Sequence, residues 1–253
     1  MTSKDIKIHF LGTNGWYSSP TGNTTCLLLE TDDFSIILDA GNGLHKIDRF
    51  VKEDKDTYLF LSHFHIDHIS GLHTLAKNRF PKGLKIICHV GGKIILDNVI
   101  RQPYTIALED LPYDVTVIEL TEGRHDIFPF GLVCQDLIHS TTCYGYRFEI
   151  GDKVISYCTD TGKCASALEL SQNADILITE CAHRPGETSD SWPHLNPQEA
   201  AEMAREAAVK RLVLMHFDAN AYPTKEARQE AEKIAQSIFP DTKAAYDDLS
   251  VVV

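Results

Sequence analysis

The stretch FLSHFHIDHISGLH, residues 60–73, contains four histidines within eleven positions. It begins near the end of an apolar, strand-like run, and polar side chains at strand ends are typical of α/β active sites. His63 and His65 lie two positions apart, so an extended segment directs both to the same side. Asp67 and His68 follow where a helix is predicted to begin. Four ligand-type side chains within six residues are too crowded for one tetrahedral ion, but they suit two neighbouring metal ions.

Other strand-like runs also end in ligand-type residues. Asp39 ends the run SIILD, His139 follows CQDLI, Asp160 ends VISYCTD, and His216 lies at the end of RLVLMH. A single histidine after a strand is more often a hydrogen-bonded core residue than a ligand. As a set, however, these residues predict the further ligands that two ions would need.

Composition restricts the class of protein. The 253-residue chain is 43% hydrophobic and 24% charged, as in soluble globular proteins, and it has no apolar run of transmembrane length. Its first residues, MTSKDIKIHFLG, lack the profile of a signal peptide, so a cytoplasmic protein without membrane attachment is expected. Seven irregularly spaced cysteines without a CxxC pair predict reduced thiols. The net charge of −12 argues against a large basic face for nucleic acid.

Strand-like runs extend along the whole chain, and no linker or repeat divides it. These runs cover residues 6–12, 26–31, 34–40, 57–62, 84–90, 115–120, 146–150, 153–160, 175–180, 211–217 and 249–253. Strands crowd the first part of the chain, whereas helices and strands alternate later. This order favours two sheets with helices outside them, in one domain comprising residues 1–253.

Three helices are predicted between the strands. One is expected over residues 68–77. A second, over residues 196–210, begins with Asn196 as N-cap, followed by proline and then by glutamate at the third helical position, as in a capping box. The third follows Thr224 as N-cap. Its apolar stripe is predicted to consist of Ala227, Ala231, Ile234 and Ile238.

The motif HFHIDH, residues 63–68, matches the HxHxDH signature of the metallo-β-lactamase fold superfamily. Nearly the whole chain resembles the phosphodiesterase and ribonuclease Z-like branch of that superfamily. The resemblance continues through LDAGNG, HSTTCYGYRFE, CTDTG, HLNPQEA and LVLMHF, which occur in the superfamily's order. It implies an α/β fold, namely an αββα sandwich of two mixed β-sheets flanked by helices, with a dinuclear metal site at one edge of the sheets.

The resemblance also implies which residues hold each of two divalent ions. One ion would be bound by His63, His65 and His139, the second by Asp67, His68 and His216, with Asp160 bridging the two. Asp39 would orient a ligand rather than bind metal. Mixed imidazole and carboxylate ligands suit zinc, with manganese and iron as alternatives.

Two such ions would share a bridging hydroxide that acts as the nucleophile, so no serine or cysteine nucleophile is required. Cys181, the alternative nucleophile, is disfavoured for this reason. His194 is the candidate general acid, oriented by Glu180, and this assignment comes from the resemblance. Asp67 is assigned to the catalytic set as well as to the metal ligands.

The interval between His139 and Asp160 bears on the substrate. Its 21 positions are filled by a predicted hairpin around Gly151, which leaves no room for the long tRNA-binding arm of bacterial-type ribonuclease Z. We therefore expect a phosphodiesterase acting on a small or cyclic phosphodiester. The alternatives are a ribonuclease Z-like RNA 3′-processing enzyme without the arm, a thioester or lactone hydrolase, and a metal-binding scaffold without turnover. A homodimer is expected by family analogy.

Overall fold

A computed structural model describes residues 5–51 and 54–253. The predicted domain of residues 1–253 includes residues 1–4 and 52–53, which lie outside the described residues. The described residues form two seven-stranded mixed sheets with helices on their outer surfaces. The predicted α/β sandwich is therefore confirmed. None of the helices in the described part of the chain is long and apolar enough to cross a membrane.

The strands of the described residues are, in chain order, β1 Lys7–Gly12, β2 Asn14–Gly15, β3 Cys26–Glu30, β4 Phe34–Leu38, β5 Asp56–Phe60, β6 Leu84–His89, β7 Val115–Leu120, β8 Gly123–His125, β9 Gly131–Asp136, β10 Tyr144–Ile150, β11 Lys153–Cys158, β12 Ile176–Glu180, β13 Leu212–Met215, β14 Phe217–Asp218, β15 Thr242–Ala244 and β16 Ser250–Val252. The α-helices are α1 Ile66–Ile69, α2 Gly92–Val99, α3 Ala165–Ser171, α4 Pro197–Glu206 and α5 Lys225–Gln236. Short 3₁₀ segments span Asn42–Arg49, Ser70–Lys77 and Leu108–Asp110.

Each sheet contains a parallel half. The first sheet has the order β16-β1-β3-β4-β5-β6-β7, and its strands β4 to β7 are parallel. The second has the order β15-β13-β12-β11-β10-β9-β8, with β11, β12, β13 and β15 parallel. In a parallel sheet the carboxyl ends of the strands meet at one edge, so loops from non-consecutive strands converge there.

The main core lies between the two sheets. Phe60 of β5 packs against Tyr146 and Phe148 of β10, with ring centroids 5.2 and 5.1 Å apart. Alternate residues of the same strands face the outer helices, as Leu59 does when it joins the cluster beneath the 3₁₀ segments and α2. Strands covered on both faces are expected to be apolar throughout, which explains the uninterrupted run FSIIL of β4.

Each of the eleven predicted runs contains a strand, while the short strands β2, β8 and β15 and most of β9 were not predicted. The capping box of α4 is confirmed, because the Asn196 side chain accepts from the Glu199 amide and Glu199 accepts from the Asn196 amide. Thr224 caps α5 as predicted. The predicted helix over residues 68–77 is helical throughout, but α1 ends at Ile69 and the remainder is a 3₁₀ segment, Ser70–Lys77.

The apolar stripe predicted for α5 is also partly wrong. Its buried residues are Arg228, Ala231 and Ala235, whereas Ile234 and Ile238 are only partly buried. The reason is that Arg228 turns inward and donates to the Thr13 hydroxyl, the Asn14 side chain and the Ala245 carbonyl. A buried guanidinium therefore occupies the centre of the stripe, and the apolar residues of the helix lie around it.

Candidate metal centre and active site

The predicted site residues lie at the carboxyl ends of parallel strands from both sheets. Asp39 follows β4 and His63 follows β5 in the first sheet. In the second sheet Asp160 follows β11, Glu180 ends β12, and His216 follows β13. The topology therefore brings side chains that are far apart in sequence to one edge of the sandwich.

The backbone at these strand ends is strained. Asp39, Asp160 and His216 have φ values of 57°, 49° and 48°, and Trp16 beside them has a φ of 66°. Residues other than glycine rarely adopt this left-handed conformation, and aspartate and histidine do so more readily than most. Strain of this kind tends to occur where a structure must aim a functional side chain. The conformation thus supports a functional role for this edge.

The structure brings all seven predicted ligands together. Their ligand atoms form overlapping groups, and within each group the atoms lie within 4.8 Å of one another. The groups are His63, His65 and His139; Asp67, His68 and His216; and His63, His68 and Asp160. The first two are the two ligand sets implied by the resemblance, and the third connects them through Asp160.

The distances within the groups show that the ligand atoms converge. His139 Nε2 lies 3.1 Å from His65 Nδ1, and His68 Nε2 lies 3.1 Å from His216 Nε2. Asp160 Oδ2 lies 3.0 Å from His68 Nε2 and 3.2 Å from His216 Nε2. At these distances either shared protons or bound cations would satisfy the imidazole nitrogens and carboxylate oxygens, and several ligand-type atoms converging on one point are what a metal ion requires.

Unpartnered ring nitrogens give an independent test of this fit. Among the described residues, the buried atoms His63 Nε2, His139 Nδ1 and His216 Nδ1 have no hydrogen-bond partner. Buried polar atoms without a partner are rare because each costs about 1–3 kcal/mol. A metal ion would satisfy His63 Nε2, whose other ring nitrogen lies 3.0 Å from the Ser62 hydroxyl. The donor set therefore fits divalent metal.

Asp39 organises the base of this site. Its fully buried carboxylate accepts hydrogen bonds from the Ser62 amide and hydroxyl and from the Tyr157 hydroxyl, at 2.6–3.0 Å. Its Oδ2 also lies 2.8 Å from His68 Nδ1. Because an ionised carboxylate only accepts, His68 Nδ1 must donate, and its Nε2 is directed at the other ligands.

The pKa values of the histidines agree with a metal site. Burial lowers the pKa of His63 well below its ordinary value and lowers the pKa of His139 to about 4. Both imidazoles are then neutral at pH 7, which is the form that binds metal. Burial also opposes protonation of His68, but the carboxylates of Asp160 and Asp39 raise its pKa well above the usual range. A bound cation would neutralise the same carboxylates in place of that proton.

Glu180 and His194 form a buried pair beside the ligands. His194 Nδ1 lies 2.7 Å from Glu180 Oε1, and the same carboxylate accepts from the amides of Thr161 and Leu195. Burial alone would lower the pKa of His194, but the charge and hydrogen bond of Glu180 raise it to about 9. The ligand-type atoms of His194, His139 and Asp160 lie within 4.8 Å of one another. His194 therefore faces the site with a stabilised proton.

A cavity of about 440 Å³ opens directly over these residues. It is lined by Gly15, Trp16, His65, Ile66, Asp67, His139, Asp160, Ala182, Trp192, His194, His216 and Asp218. Ligand pockets of small molecules have volumes in this range. The lining residues that were not predicted are Gly15, Trp16, Ile66, Ala182, Trp192 and Asp218. The chain contains two tryptophans, and both line the cavity, so the rarity of this residue type was the one sequence signal that could have identified them.

Cys181, Arg147 and Lys163 lie near these elements but outside the site. Cys181 is fully buried, and its burial raises the pKa of the thiol to about 12, which makes it a poor nucleophile. Arg147 donates to the carbonyls of Leu170 and Gln172 at the end of α3. Lys163 pairs with an exposed glutamate of α4 at 3.2 Å and does not line the cavity.

The remaining histidines also have local roles. His183 Nε2 lies 3.1 Å from the Trp192 carbonyl and so ties the two ends of the loop that precedes His194. His9 is buried between Glu30 and Ser250. His45, His73, His89 and His125 each approach a nearby backbone carbonyl, and the cavity is lined by none of these four.

Comparison with known proteins places this geometry in context. A family model described as "Beta-lactamase superfamily domain" matches residues 35–217, which is more than half of the chain. Ribonuclease Z from Enterococcus faecalis is 27% identical over 301 residues, covering 96% of this chain and 96% of that protein. "Probable metallo-hydrolase YhfI" from Bacillus subtilis is 27% identical over 218 residues, covering 84% of this chain and 87% of the relative. The first alignment is longer than this chain of 253 residues, so that relative carries segments without a counterpart here.

Solved structures show the same fold. The crystal structure of YhfI from Bacillus subtilis matches with a TM-score of 0.81 and 24% identity, over 98% of this chain and 100% of that one. The structure of a "New Diphosphatase from the PhnP Family" matches with a TM-score of 0.75 and 17% identity, over 98% and 97% of the two chains. At these identities the likeness concerns the arrangement of the sheets and helices.

Proposed function

We propose that this chain, which belongs to the beta-lactamase superfamily and is a metal-dependent hydrolase, hydrolyses small or cyclic phosphodiesters. Two relatives support a phosphorus-containing substrate, since one is named ribonuclease Z and another a diphosphatase. The preference for a small substrate rests on this chain's own cavity and charge.

Two divalent ions, with zinc favoured, would be held by the two ligand groups. His63, His65 and His139 would hold one, Asp67, His68 and His216 the other, and Asp160 both. When bound, such ions activate water and stabilise the negative charge that develops on the phosphate. Asp39 would fix the tautomer of His68, since its Oδ2 lies 2.8 Å from Nδ1 of that ring.

His194 would act as the general acid. Because Glu180 takes up Nδ1, the proton on His194 Nε2 is the one available to the cavity. As the bond from phosphorus to water oxygen forms, the bond to the departing oxygen breaks, and His194 Nε2 protonates that oxygen. The proton released by the water would leave to solvent through the open cavity. Asp67 would serve as a metal ligand rather than as a base, because, although burial opposes it, the charges of His68 and His216 hold the pKa of this carboxyl well below its ordinary value.

Three features favour a small diester over RNA. The hairpin of β10 and β11 closes through a two-residue loop, with Ile150 opposite Lys153, so no arm extends between His139 and Asp160. The cavity is lined by no lysine or arginine among the described residues. The chain carries a net charge of −12, which opposes the approach of a polyanion.

The single observation that carries the proposal is the 2.7 Å contact between His194 and Glu180 within the metal-ligand cavity. Its test compares leaving groups. General acid catalysis contributes about 10²–10⁴-fold when the leaving group is a poor one, and little when it leaves unaided. We expect His194→Ala to lose about two or more orders of magnitude in kcat/KM on alkyl or nucleotide diesters, and much less on bis-p-nitrophenyl phosphate.

The matched control is His73→Ala, which removes an exposed histidine from the same sequence stretch and should leave both rates unchanged. Metal content should be unchanged in both variants. Equal losses on both substrates would contradict a proton-donor role for His194, and loss of metal would identify it as a ligand. A thioester or lactone hydrolase would have less need of the acid pair, so esterase activity that is insensitive to His194→Ala would favour that alternative.

The second candidate is RNA 3′ processing. It is favoured by the alignment with Enterococcus faecalis ribonuclease Z over 96% of both chains. Cleavage of precursor tRNA at its 3′ end, without hydrolysis of small diesters by the metal-loaded protein, would support this candidate and contradict the first. The expected homodimer and the single-domain boundary at residues 1–253 stay predictions.

A further inference from the structure

Both tryptophans of the chain lie at the catalytic cavity, and we propose that Trp16 and Trp192 form an aromatic clamp that binds a planar ring of the substrate. This inference rests on the proposed phosphodiesterase function and names its substrate class. The substrate would be a diester in which one group on the phosphate carries a nucleobase or a comparable planar heterocycle.

The exposure of the two indoles is the first reason. Trp16 is 65% exposed and Trp192 is 53% exposed, although tryptophan is usually well buried because its ring is large and apolar. Ile66, which also lines the cavity, is 72% exposed. Exposed apolar side chains that gather at one cavity indicate a surface that a ligand covers.

The position of the indoles relative to the ligand groups is the second reason. The Trp16 amide donates to Asp67 Oδ2 at 2.8 Å, so this residue belongs to the side of Asp67 and His216. The Trp192 ring centroid lies 6.4 Å from that of His139 and 5.6 Å from that of His194. One tryptophan therefore lies toward each end of the ligand cluster, so a planar ring on either substituent of a bound diester would meet one wall of the clamp.

Both tryptophans are anchored through their backbones, which leaves the rings free to contact substrate. Trp16 has a φ of 66° and is fixed by the bond to Asp67. The Trp192 amide donates to the Ser189 hydroxyl, and its carbonyl lies 3.1 Å from His183 Nε2. A fixed aromatic surface loses little conformational entropy on binding and stacks on any planar base.

The charge of the cavity restricts the rest of the substrate. Asp218 lines the cavity but belongs to none of the ligand groups found among the described residues, and its Oδ1 accepts from the amides of Asn220 and Ala221. No lysine or arginine of the described residues lines the cavity to offset it. Bound divalent ions would neutralise the reacting phosphate, but additional phosphates would meet Asp218 and no cationic side chain, so a diester with one charge fits better than a nucleotide chain or a polyphosphate.

A binding experiment tests the aromatic clamp without relying on turnover. Because the chain contains two tryptophans and both line the cavity, intrinsic tryptophan fluorescence reports on the clamp directly. The metal-loaded protein is titrated with thymidine 5′-monophosphate and, separately, with deoxyribose 5-phosphate, which has the same sugar phosphate without the base. We expect saturable quenching by the first, and affinity for the second that is lower by roughly 10-fold or more.

A kinetic experiment uses two substrates with one leaving group. Thymidine 5′-(p-nitrophenyl phosphate) and methyl p-nitrophenyl phosphate both release p-nitrophenolate, so their ratio of kcat/KM measures the contribution of the nucleoside. We expect the nucleoside ester to be preferred by roughly 10-fold or more, and Trp192→Leu or Trp16→Leu to reduce this ratio several-fold. Trp192→Phe, which keeps an aromatic face, should retain most of it. Tyr104→Leu removes an aromatic residue that is 75% exposed and lies outside the cavity lining, and it should change nothing.

The outcomes separate this inference from the proposed function. Hydrolysis of both esters at similar kcat/KM, with a ratio that the tryptophan variants leave unchanged, would overturn the aromatic clamp and leave the phosphodiesterase standing. Base-dependent quenching without hydrolysis of either ester would uphold the aromatic clamp and overturn the phosphodiesterase. Absence of both quenching and hydrolysis would overturn the two together.

Discussion

At the floor of the cavity Asp39, Ser62, His68 and Tyr157 are fully buried and hydrogen bonded to one another, whereas at its rim Trp16, Ile66 and Trp192 are more than half exposed. Asp39, Ser62 and Tyr157 lie on or shortly after strands and His68 lies on α1, and hydrogen bonds and packing fix each of them. The rim side chains are attached to loops and to the first turn of α1.

This difference indicates a division of labour. Polar groups fixed in a buried network hold ligands at defined positions, which is what metal binding requires. Exposed apolar side chains carry no ligand atoms and contact whatever enters the cavity. We therefore expect changes at the floor to reduce metal binding and all turnover together, and changes at the rim to alter the choice of substrate.

The largest effect is expected at Asp160, whose Oδ2 lies close to His68 and His216. Asp160→Ala removes the one carboxylate that connects the two ligand groups, so hydrolysis of every substrate should be abolished and bound metal should fall. Asp152→Ala, in the exposed hairpin loop, is the control and should behave as wild type. Full activity and metal content in Asp160→Ala would remove the basis for separating floor from rim.

A substitution of Asp39 tests the floor without removing any residue that is assigned as a metal ligand. Asp39→Asn can no longer hold His68 through an ionised acceptor, and partners of this kind are worth about 10–100-fold in metal affinity or activity. Tyr157→Phe, which removes one donor to the same carboxylate, should have a smaller effect in the same direction. Competition with a fluorescent chelator measures the affinity, and unchanged affinity in Asp39→Asn would contradict this account of the floor.

The pH dependence of activity is expected to come from the pair of Glu180 and His194, which lies between the floor and the rim. Glu180 raises the pKa of His194 to about 9, above the ordinary value of 6.5, so the acid form persists at neutral pH and is lost as pH rises through about 9. The pair also stabilises the folded protein: this contribution is complete below about pH 6.5 and is lost as the pH rises from there through about 9. Bound cations would move the whole interval to lower pH.

Glu180→Gln removes the charge that raises this pKa. The basic limb of the pH profile of kcat/KM for an alkyl diester should therefore move to lower pH. At a pH above this limb, each pH unit of movement lowers the fraction of protonated His194 about tenfold. With bis-p-nitrophenyl phosphate the limb should move little. An identical basic limb in the variant and the wild type on the alkyl diester would show that His194 is not the acid.

The smallest effect is expected at Ile66, although it lies between His65 and Asp67 in the ligand motif. Its side chain is 72% exposed, so Ile66→Ser loses little buried area, and kcat/KM should change by less than about threefold. Metal content should not change. A loss of metal in this variant would show that floor and rim are not independent.

Asp39 and His68 of the floor, with the other ligands, could be predicted from the sequence because they occur in a recognisable order after apolar runs, whereas Ser62 and Tyr157 were not predicted. Apolar, β-branched runs predicted the strands, and strand ends carried the ligands. In the structure the ligand-type atoms of these residues lie close together, and His194 contacts Glu180.

The rim could not be predicted in the same way, because it depends on how loops settle over the strand ends. Trp16 reaches the cavity only because β2 pairs with β14 next to His216, and strands of two residues give no periodic signal. Arg228 was missed for a related reason. A charged residue on a helix is normally taken as solvent-facing, yet here it binds the residues that begin the Trp16 loop.

The predicted helix over residues 68–77 is helical, but tertiary contacts accompany its change from α-helix to a 3₁₀ segment after Ile69. The Gly71 amide donates to the Ala40 carbonyl at 2.7 Å instead of to a carbonyl one turn back. A side chain at Gly71 would collide with the Gly41 carbonyl, since its Cβ would lie 2.1 Å from that oxygen. The close approach of these two loops positions the Asp39 segment against the ligand motif, and helix propensity does not report it.

Metal stoichiometry tests the central claim most directly. Protein purified without chelator and reconstituted with zinc is measured by elemental analysis and native mass spectrometry, beside His63→Ala. We predict two ions per wild-type chain, and fewer than two in His63→Ala because one of its groups has lost a ligand. Saturation of the wild type at one ion, with that ion retained in His63→Ala, would contradict the dinuclear site.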